Sequence, residues 1–405
     1  MDIKIIGIAA EYDPFTNGHA RHLELTRRAF GEDCAAVCVM SGSFTQRGEP
    51  ACTGKFARAR AAIAGGADLV LELPVDFAMS SAERFAFGAV SILDALGCVD
   101  AMSFGSECGE TSELAAAAEL LASPELDAEI RSELSRGVSY AAARQSAAER
   151  LAGRSLPVLE RPNDILAIEY IKALRTLGSA VEPFAVPRSG AHDGDDAEYP
   201  SASVLRAALR SGGSIRGMTP PACAEIIEAE TASGRAPVSA EALETAVLAR
   251  IRSMTLNELE ALPDAGDGLA ERMFKAARSA KTLAELCALA KTRRLAMSRI
   301  RRTAMNAFLG ITPESRAAAP QYIRVLAANE KGRAVLRQSE SRLPVITKAA
   351  GVKRLSDGAV SEFMLEVRAS DLWSLGRPAA QARTAGEDWL TSPYMFKASC
   401  RRLCR

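Results

Sequence analysis

Several features that would narrow the class of protein are missing from this chain of 405 residues. No uncharged apolar run approaches the ~18 residues that cross a bilayer, so we expect no membrane span. Asp2 and Lys4 interrupt the N-terminal segment, which does not have the pattern of a cleavable signal peptide. These absences predict a cytoplasmic protein.

The nine cysteines include no CxxC pair and no Cys/His spacing typical of a metal site. We expect most of them to be small buried residues in a reducing compartment, and we expect no dedicated metal-ligand set. Cys400 and Cys404 share the basic tail "CRRLCR", but no histidine lies near them in the sequence.

Short apolar runs alternate with helical patterns in the first half of the chain. Helical patterns cover residues 54–65, 81–96 and 163–177. The runs typical of strands are "IKIIGIAA", "CAAVCVM", "DLVLELP", "DAMSFGS" and "VEPFAV". The alternation predicts the α/β class, with a Rossmann-like parallel sheet covered on both faces and a ligand beyond the carboxyl ends of its strands.

The character of the sequence changes beyond this alternation. Residues 221–310 have a nearly continuous helical pattern, and residues 320–370 are mixed, with "QYIRVLA" and "RLPVITK" as possible strands. A chain of this length exceeds one ordinary core. We therefore predict a first domain over residues 1–212, a helical region over 213–315 and a small α/β region over 316–405.

The stretch "EYDPFTNGHARH", residues 11–22, follows the first predicted strand. Asn17 and Gly18 allow a tight turn, and the helix that follows presents unpaired N–H groups suited to phosphate. Thr16 and His19 lie within reach of the same phosphates, where a histidine donor would stabilise developing charge. The alternative is a capped turn with a surface histidine.

Charge is balanced, with 50 basic and 50 acidic residues, so a nucleic-acid site has to be a local patch. The segment "KTRRLAMSRIRR", residues 291–302, is such a patch, with no acid among its residues. Its pattern favours RNA-backbone binding over a solvated helix face. The basic residues are Lys291, Arg293, Arg294, Arg299, Arg301 and Arg302. Because only 5% of residues are aromatic, we expect phosphate and shape contacts to outweigh base stacking.

Nine blocks occur in the order of a known family: "EYDPFTNGH", "MSGSFTQRGEPA", "GADLVLELP", "FGSE", "RPNDILAIEYIKAL", "SASVLR", "LPDAGDGL", "KTRRLAMSRIRR" and "YIRVLAANEKGR". With them, the chain resembles the tRNA(Met) cytidine acetate ligase family over nearly its whole length. "TNGH" is similar to the T/HxGH motif of the nucleotidyltransferase superfamily. The resemblance implies that ATP and acetate form acetyl-adenylate, which acetylates N4 of the wobble cytidine of elongator tRNA(Met).

The resemblance also implies roles for individual residues. Catalysis would fall to Thr16, His19, Ser203 and Arg206, with Ser201 and Ser203 on the β- and γ-phosphates and Arg206 on the departing pyrophosphate. The implied ATP-binding residues are Ala9, Ala10, Glu11, Tyr12, Asp13, Pro14, Phe15, Thr16, Asn17, Gly18, His19, Ala20, Arg21, His22, Gly105, Asn163, Arg188 and Ser201. Mg²⁺ is expected from the chemistry of ATP rather than from a ligand motif, and no protein partner is evident.

Alternatives stay open for several of these residues. Asn163 and Asp164 can simply cap a helix, and Gly105 can be a plain turn. His22 points either at the phosphates or into packing at the helix surface. The family commonly has His at the position of Thr16 and Asn at that of Asp13.

The loop "SGSFTQRGEPA" is long for a connection between a strand and a helix. With Gly42 and Gly48 as hinges, this loop and Lys55 are candidates for acetate, phosphate or RNA contact. Two other functions remain possible: a small-molecule adenylyltransferase, and a non-catalytic RNA-binding protein with a relic nucleotide site.

Overall fold

The structure, a computed structural model, describes residues 3–188 and 199–396. The five strands predicted in the first half are all present, and both possible strands of the C-terminal region are confirmed, the second in only two residues. The strands are β1 (Ile5–Ala10), β2 (Ala35–Ser41), β3 (Leu69–Leu73), β4 (Ala101–Ser106), β5 (Glu182–Pro187), β6 (Ile323–Ala328), β7 (Val345–Ile346) and β8 (Tyr394–Met395).

All eight strands belong to one sheet with the order β5-β4-β1-β2-β3-β6-β7, and β8 pairs with β6. The first five strands are mutually parallel, as the alternating pattern predicts. β6 runs antiparallel to β3, while β7 and β8 run parallel to β6. The strands of the last predicted region therefore extend the first sheet. The proposed boundaries at 212 and 315 stay a prediction.

Helices cover both faces of the sheet and continue into a helical region. The three helices predicted in the first half are confirmed to within one residue at either end. The helices are α1 (Asn17–Phe30), α2 (Lys55–Ala64), α3 (Val75–Ala78), α4 (Ala82–Ala95), α5 (Thr111–Leu121), α6 (Pro124–Ser135), α7 (Tyr140–Ala152), α8 (Pro162–Leu177), α9 (Ala202–Arg210), α10 (Pro221–Ala232), α11 (Ala240–Ser253), α12 (Leu256–Glu260), α13 (Leu269–Ser279), α14 (Leu283–Ala290), α15 (Met297–Leu309), α16 (Glu330–Gln338), α17 (Asp357–Ser374) and α18 (Glu387–Leu390).

Side chains of β2 alternate between two hydrophobic cores, because successive residues of a strand face opposite sides. Val37 and Val39 pack on the side of α4 and α8, while Cys38 and Met40 pack on the side of α1 and α2. A further core holds α11, α13, α14, α15 and α17 together. Trp373 of α17 lies in that core and donates from Nε1 to the carbonyl of Ala51 at 2.7 Å. This bond ties the helical region to the loop that follows β2.

The described part of the chain contains no helix that is long and apolar enough to cross a membrane. Five of its seven cysteines are buried and none forms a disulfide, in agreement with the sequence prediction for them. Cys400 and Cys404 lie outside the described residues. His192 and Asp193, in the polar stretch before "SASVLR", also lie outside them.

Candidate active site

The loop after β1 enters α1 at the carboxyl edge of the sheet. β1 has β2 on one side and β4 on the other, so the strand order reverses at this position. Tyr12 in this loop has a φ of 46°, which is uncommon for a residue other than glycine. Its ring lies 4.8 Å from that of Phe15 and 4.9 Å from that of His19. Tyr12 and Phe15 are both buried. The packed turn therefore fixes the position of the His19 ring.

Thr16 and His19 cap α1 reciprocally. The backbone N–H of His19 donates to Thr16 Oγ1 at 3.3 Å, and the backbone N–H of Thr16 donates to His19 Nδ1 at 3.0 Å. Because a backbone N–H can only donate, Nδ1 is an acceptor, and the neutral ring carries its proton on Nε2. No residue in the described ranges hydrogen-bonds to Nε2. His19 thus keeps one oriented donor for a ligand.

His19 is half-buried at the start of α1. Burial, helped by the charge of Arg188 and by His22, lowers the pKa of His19 to about 3. The ring is therefore neutral near pH 7 and donates without bringing a charge of its own. The sequence prediction of a histidine donor in the first turn fits this geometry. Its contact with a nucleotide stays a prediction.

Three predicted residues from separate parts of the sequence meet beside His19. Arg188, which follows β5, donates from Nη1 to Asn163 Oδ1 at 3.0 Å. A Cβ added to Gly105 of β4 would lie 3.1 Å from Cγ of Arg188, so a larger residue would push this side chain away by a few tenths of an ångström. The charge of Arg188 contributes to the low pKa of both His19 and His22. Gly105 lies within β4, so the interpretation as a plain turn is wrong, while its contact with a nucleotide stays a prediction.

The interpretation of Asn163 or Asp164 as the N-cap of α8 is wrong. Glu107, just beyond β4, takes that role, because its carboxylate accepts from the backbone N–H of Asn163 at 3.3 Å and of Asp164 at 2.9 Å. Asp164 instead accepts from the backbone N–H of Glu107 at 2.8 Å. This exchange locks the end of β4 to the start of α8. The sequence offered no local signal for it, because the two segments are more than fifty residues apart.

The second predicted phosphate motif lies against the first. Arg206 of α9 donates to the carbonyl of Asp13 at 2.7 Å, and its Nη1 lies 3.8 Å from Asp13 Oδ2. Ser201 and Ser203, at the start of α9, share a hydrogen bond of 2.7 Å between their hydroxyls. The backbone N–H of Asn17 donates to the carbonyl of Met218 at 3.0 Å. The two predicted motifs therefore form one site, nearly two hundred residues apart in sequence.

His22 has a partner within the protein. Its Nε2 lies 2.8 Å from Ser103 Oγ, and Ser103 Oγ lies 2.8 Å from Thr26 Oγ1, which in turn donates to the His22 carbonyl at 2.9 Å. Burial and the charge of Arg188 lower the pKa of His22 to about 4. This bonding agrees with the packing interpretation, while a phosphate contact for His22 stays a prediction.

Arg58 organises the base of the site, and sequence reasoning did not single it out. It is 1% exposed and donates to the carbonyls of Glu11, Ser41 and Thr53 at 2.7 to 3.0 Å, and also to that of Gly42. One guanidinium thus joins the first motif to both ends of the loop after β2. The only sequence signal was an arginine between alanines in α2.

The two glycines predicted as hinges of the loop after β2 are both closely packed. A Cβ on Gly48 would lie 2.6 Å from the backbone nitrogen of Arg302, so this glycine is packed against α15. A Cβ on Gly42 would lie 2.8 Å from Glu72 Oε1. Lys55 is also buried, with Nζ 2.6 Å from Glu72 and 2.7 Å from Asp388, so it is committed to internal ion pairs.

Carboxylates near His19 are already engaged. Asp13 Oδ1 accepts from the backbone N–H of Cys52 at 2.7 Å, and Glu11 Oε1 accepts from that of Gln46 at 2.6 Å. No group of three or more His, Cys, Asp and Glu residues suited to a metal ion occurs in residues 3–188 and 199–396. Asp13 and Glu11 are therefore not arranged as a protein site for Mg²⁺.

Three of the predicted RNA-binding arginines are paired inside the protein. Arg299 binds Asp267 at 2.7 Å, Arg302 binds Asp264 at 2.9 Å, and Arg301 binds Glu49 at 2.8 Å. The segment contains no acid of its own, and the acidic partners of these arginines come from other loops. Lys291, Arg293 and Arg294 are exposed in the turn before α15. A contact of any of the six with RNA stays a prediction.

A Rossmann-like sheet with a Thr-x-Gly-His helix start at its switch point defines the chain as a nucleotidyltransferase. In agreement, the family described as HIGH Nucleotidyl Transferase matches residues 3–388. More narrowly, the chain belongs to the tRNA(Met) cytidine acetate ligase family, as the sequence resemblance indicated. The relative from Acetivibrio thermocellus is 36% identical over 96% of this chain and 98% of its own length. The relative from Syntrophomonas wolfei is also 36% identical, over 96% of this chain and 99% of its own.

Solved structures agree with this membership. Thermotoga maritima TmcAL bound with alpha-thio ATP is 31% identical, with a TM-score of 0.91 over 98% of this chain and all of that one. The apo form of the same protein is 32% identical, with a TM-score of 0.93 over the same coverage. The predicted fold class and the enzyme class, an ATP-dependent ligase, are confirmed.

Proposed function

We propose that this protein joins acetate to AMP at the site around His19 and then transfers the acetyl group to N4 of the wobble cytidine of elongator tRNA(Met). The observation that carries the proposal is the convergence of an oriented, neutral His19 donor with Arg188 and Arg206 at the start of α1. The names of its relatives and the nucleotide bound to the Thermotoga maritima protein support it.

In the first step, an acetate oxygen attacks the α-phosphorus of ATP, and the bond to the pyrophosphate oxygen breaks. Negative charge then grows on the phosphate oxygens. The positive end of the α1 dipole, His19 Nε2–H and the Arg206 guanidinium are suited to stabilising that charge. Ser201 and Ser203 are assigned to the pyrophosphate. Mg²⁺ is assigned to ATP itself, where it supplies charge neutralisation for the phosphates.

In the second step, the cytidine amine attacks the acetyl carbonyl, AMP leaves, and the amine loses a proton. We assign the nucleotide chemistry to residues 1–212 and RNA binding to residues 213–315, including the basic turn before α15. Because tRNA and ATP are cytoplasmic substrates, the proposal places the protein in the cytoplasm. Balanced net charge is compatible with this, since RNA would meet one local basic patch.

Two measurements on the purified protein test the proposal. Exchange of labelled pyrophosphate into ATP should depend on acetate, and it should be lost in His19→Ala. Mass spectrometry of nucleosides from elongator tRNA(Met) incubated with protein, ATP and acetate should then show N4-acetylcytidine. Exchange without acetylcytidine would indicate a small-molecule adenylyltransferase. RNA binding without any exchange would indicate a relic nucleotide site.

A further inference from the structure

We propose that the turn between α6 and α7, residues 134–140, forms one RNA-binding surface together with the basic turn at residues 291–294. The inference rests on the proposed function, because it takes tRNA as the partner. It adds a surface in the first domain that no motif of the sequence indicated. The argument comes from a contact between the two turns, from their charge, and from an exposed aromatic ring.

A single contact joins the two turns. Arg294 donates from Nε to the carbonyl of Gly137 at 3.3 Å. Gly137 has a φ of +81°, and a Cβ there would lie 3.0 Å from Arg294 Nη2, so glycine allows both the turn and the close approach. The contact bridges 157 residues of sequence.

This contact also connects two flanks of the sheet. The α6–α7 pair is inserted between β4 and α8, on the side of the sheet that ends in β5. The turn at 291–294 leads into α15, which packs against Gly48 in the loop after β2. The contact therefore joins an insertion of the first domain to the helical region that packs on the loop after β2.

The joined turns are cationic. Residues 134–140 and 291–294 contain Arg136, Lys291, Arg293 and Arg294 and no acid. The side chain of Arg136 is 63% exposed and is paired with Glu133, 3.2 Å away, which also binds Arg150. Arg293 makes no ion pair or hydrogen bond with any residue that the structure describes. A surface with exposed basic side chains, of which Arg293 has no partner among the described residues, suits a polyanion better than a protein partner or an apolar ligand.

Tyr140 supplies the aromatic element. It begins α7 behind the Ser139 cap and is 59% exposed, more than any other aromatic residue in the described ranges. Val138, beside it, is 37% exposed. The Tyr140 ring stacks on no other ring in the described part of the chain. An exposed ring in a basic turn is suited to stacking an unpaired base of single-stranded RNA, such as one in a loop.

The test measures binding of an elongator tRNA(Met) transcript by fluorescence anisotropy over a range of salt concentrations. Tyr140→Ala should weaken binding about tenfold or more, while Tyr140→Phe keeps the ring and should bind as wild type does. Arg293→Gln should lower the salt slope of log K by about 0.7 to 0.9, because no described residue neutralises its charge. Arg175→Gln is the matched control, because Arg175 is 46% exposed at the far end of α8 and outside the surface.

Pyrophosphate exchange, measured without RNA, and the melting temperature report whether each variant still folds around an intact nucleotide site. If wild type acetylates the tRNA and Tyr140→Ala binds it equally well, the inference fails and the proposed function stands. If wild type neither binds nor acetylates the tRNA, both fail. Equal losses in Tyr140→Ala and in Arg175→Gln would also overturn the inference.

Discussion

The two ring nitrogens of His19 have separate tasks in this structure, and two substitutions separate them. Nδ1 accepts from the backbone N–H of Thr16 at 3.0 Å, and Nε2–H is the donor left for a ligand. An asparagine places an acceptor near the position of Nδ1 but reaches no further. A glutamine places an amide N–H near the position of Nε2 but leaves the Thr16 N–H without its acceptor.

We expect His19→Asn to fold almost as stably as wild type and to lose acetate-dependent pyrophosphate exchange. Removing one donor to transition-state charge costs about 10² to 10³ in rate, or about 3 to 4 kcal/mol. His19→Gln should retain part of the exchange, but it should lose about 1 kcal/mol of stability with the capping bond. Exchange rates and urea unfolding of both variants provide the two readouts.

His19→Ala is the reference, because it removes both functions and should show both losses. The reasoning is refuted if His19→Asn exchanges at the wild-type rate while His19→Gln is inactive, since the Nδ1 side would then contact the nucleotide. Equal stability of the two variants would refute the capping role of the ring.

Three further outcomes follow from the same contacts. Arg58→Lys should destabilise the protein by about 2 to 4 kcal/mol in urea unfolding, because one ammonium cannot serve four buried carbonyls; an unchanged midpoint would contradict this. His19 and His22 have pKa values lowered to about 3 and 4 from 6.5, so the unfolded chain binds protons that the folded protein does not. Stability should therefore fall as the pH drops from about 6.5 to 4, by at most about 1.4 kcal/mol per pH unit for each ring, and less steeply in His22→Gln. Gly48→Ala should cost more than Gly153→Ala, about 3 against 1 kcal/mol, because both have positive φ but only Gly48 meets the backbone of α15; equal melting temperatures would contradict it.

The strands and the first motif could be predicted because their signals are local. Each of β1 to β5 is a short apolar run, and β1 to β4 are largely buried, as such runs are in a parallel sheet. "TNGH" combines an N-cap, a flexible residue and a donor within four positions, so the chemistry of the turn is visible in the sequence. The order of the strands is not visible in the sequence, because the pairing of β3 with β6 joins residues about 250 positions apart.

The supports of the site could not be predicted for the same reason. Glu107 caps a helix that begins more than fifty residues later, and Arg206 binds a carbonyl 193 residues away. Arg58 makes all its described hydrogen bonds to carbonyls, which every residue carries and no sequence pattern marks. A residue that binds backbone is specified by the fold, so only the structure identifies it.

The basic segment shows that the net charge of a surface depends on side chains from distant parts of the sequence. Within residues 291–302 no acid occurs, and the pattern therefore predicts a continuous cationic face. In the structure, Asp264, Asp267 and Glu49 neutralise Arg302, Arg299 and Arg301 from other loops. Reversing the charge of these three arginines would break internal ion pairs, so a loss of RNA binding in such a variant would not identify the RNA surface. The free positive charge lies one turn earlier, at residues 291–294, and there it meets the α6–α7 turn. Variants of exposed side chains in those two turns are therefore the ones that separate RNA binding from folding.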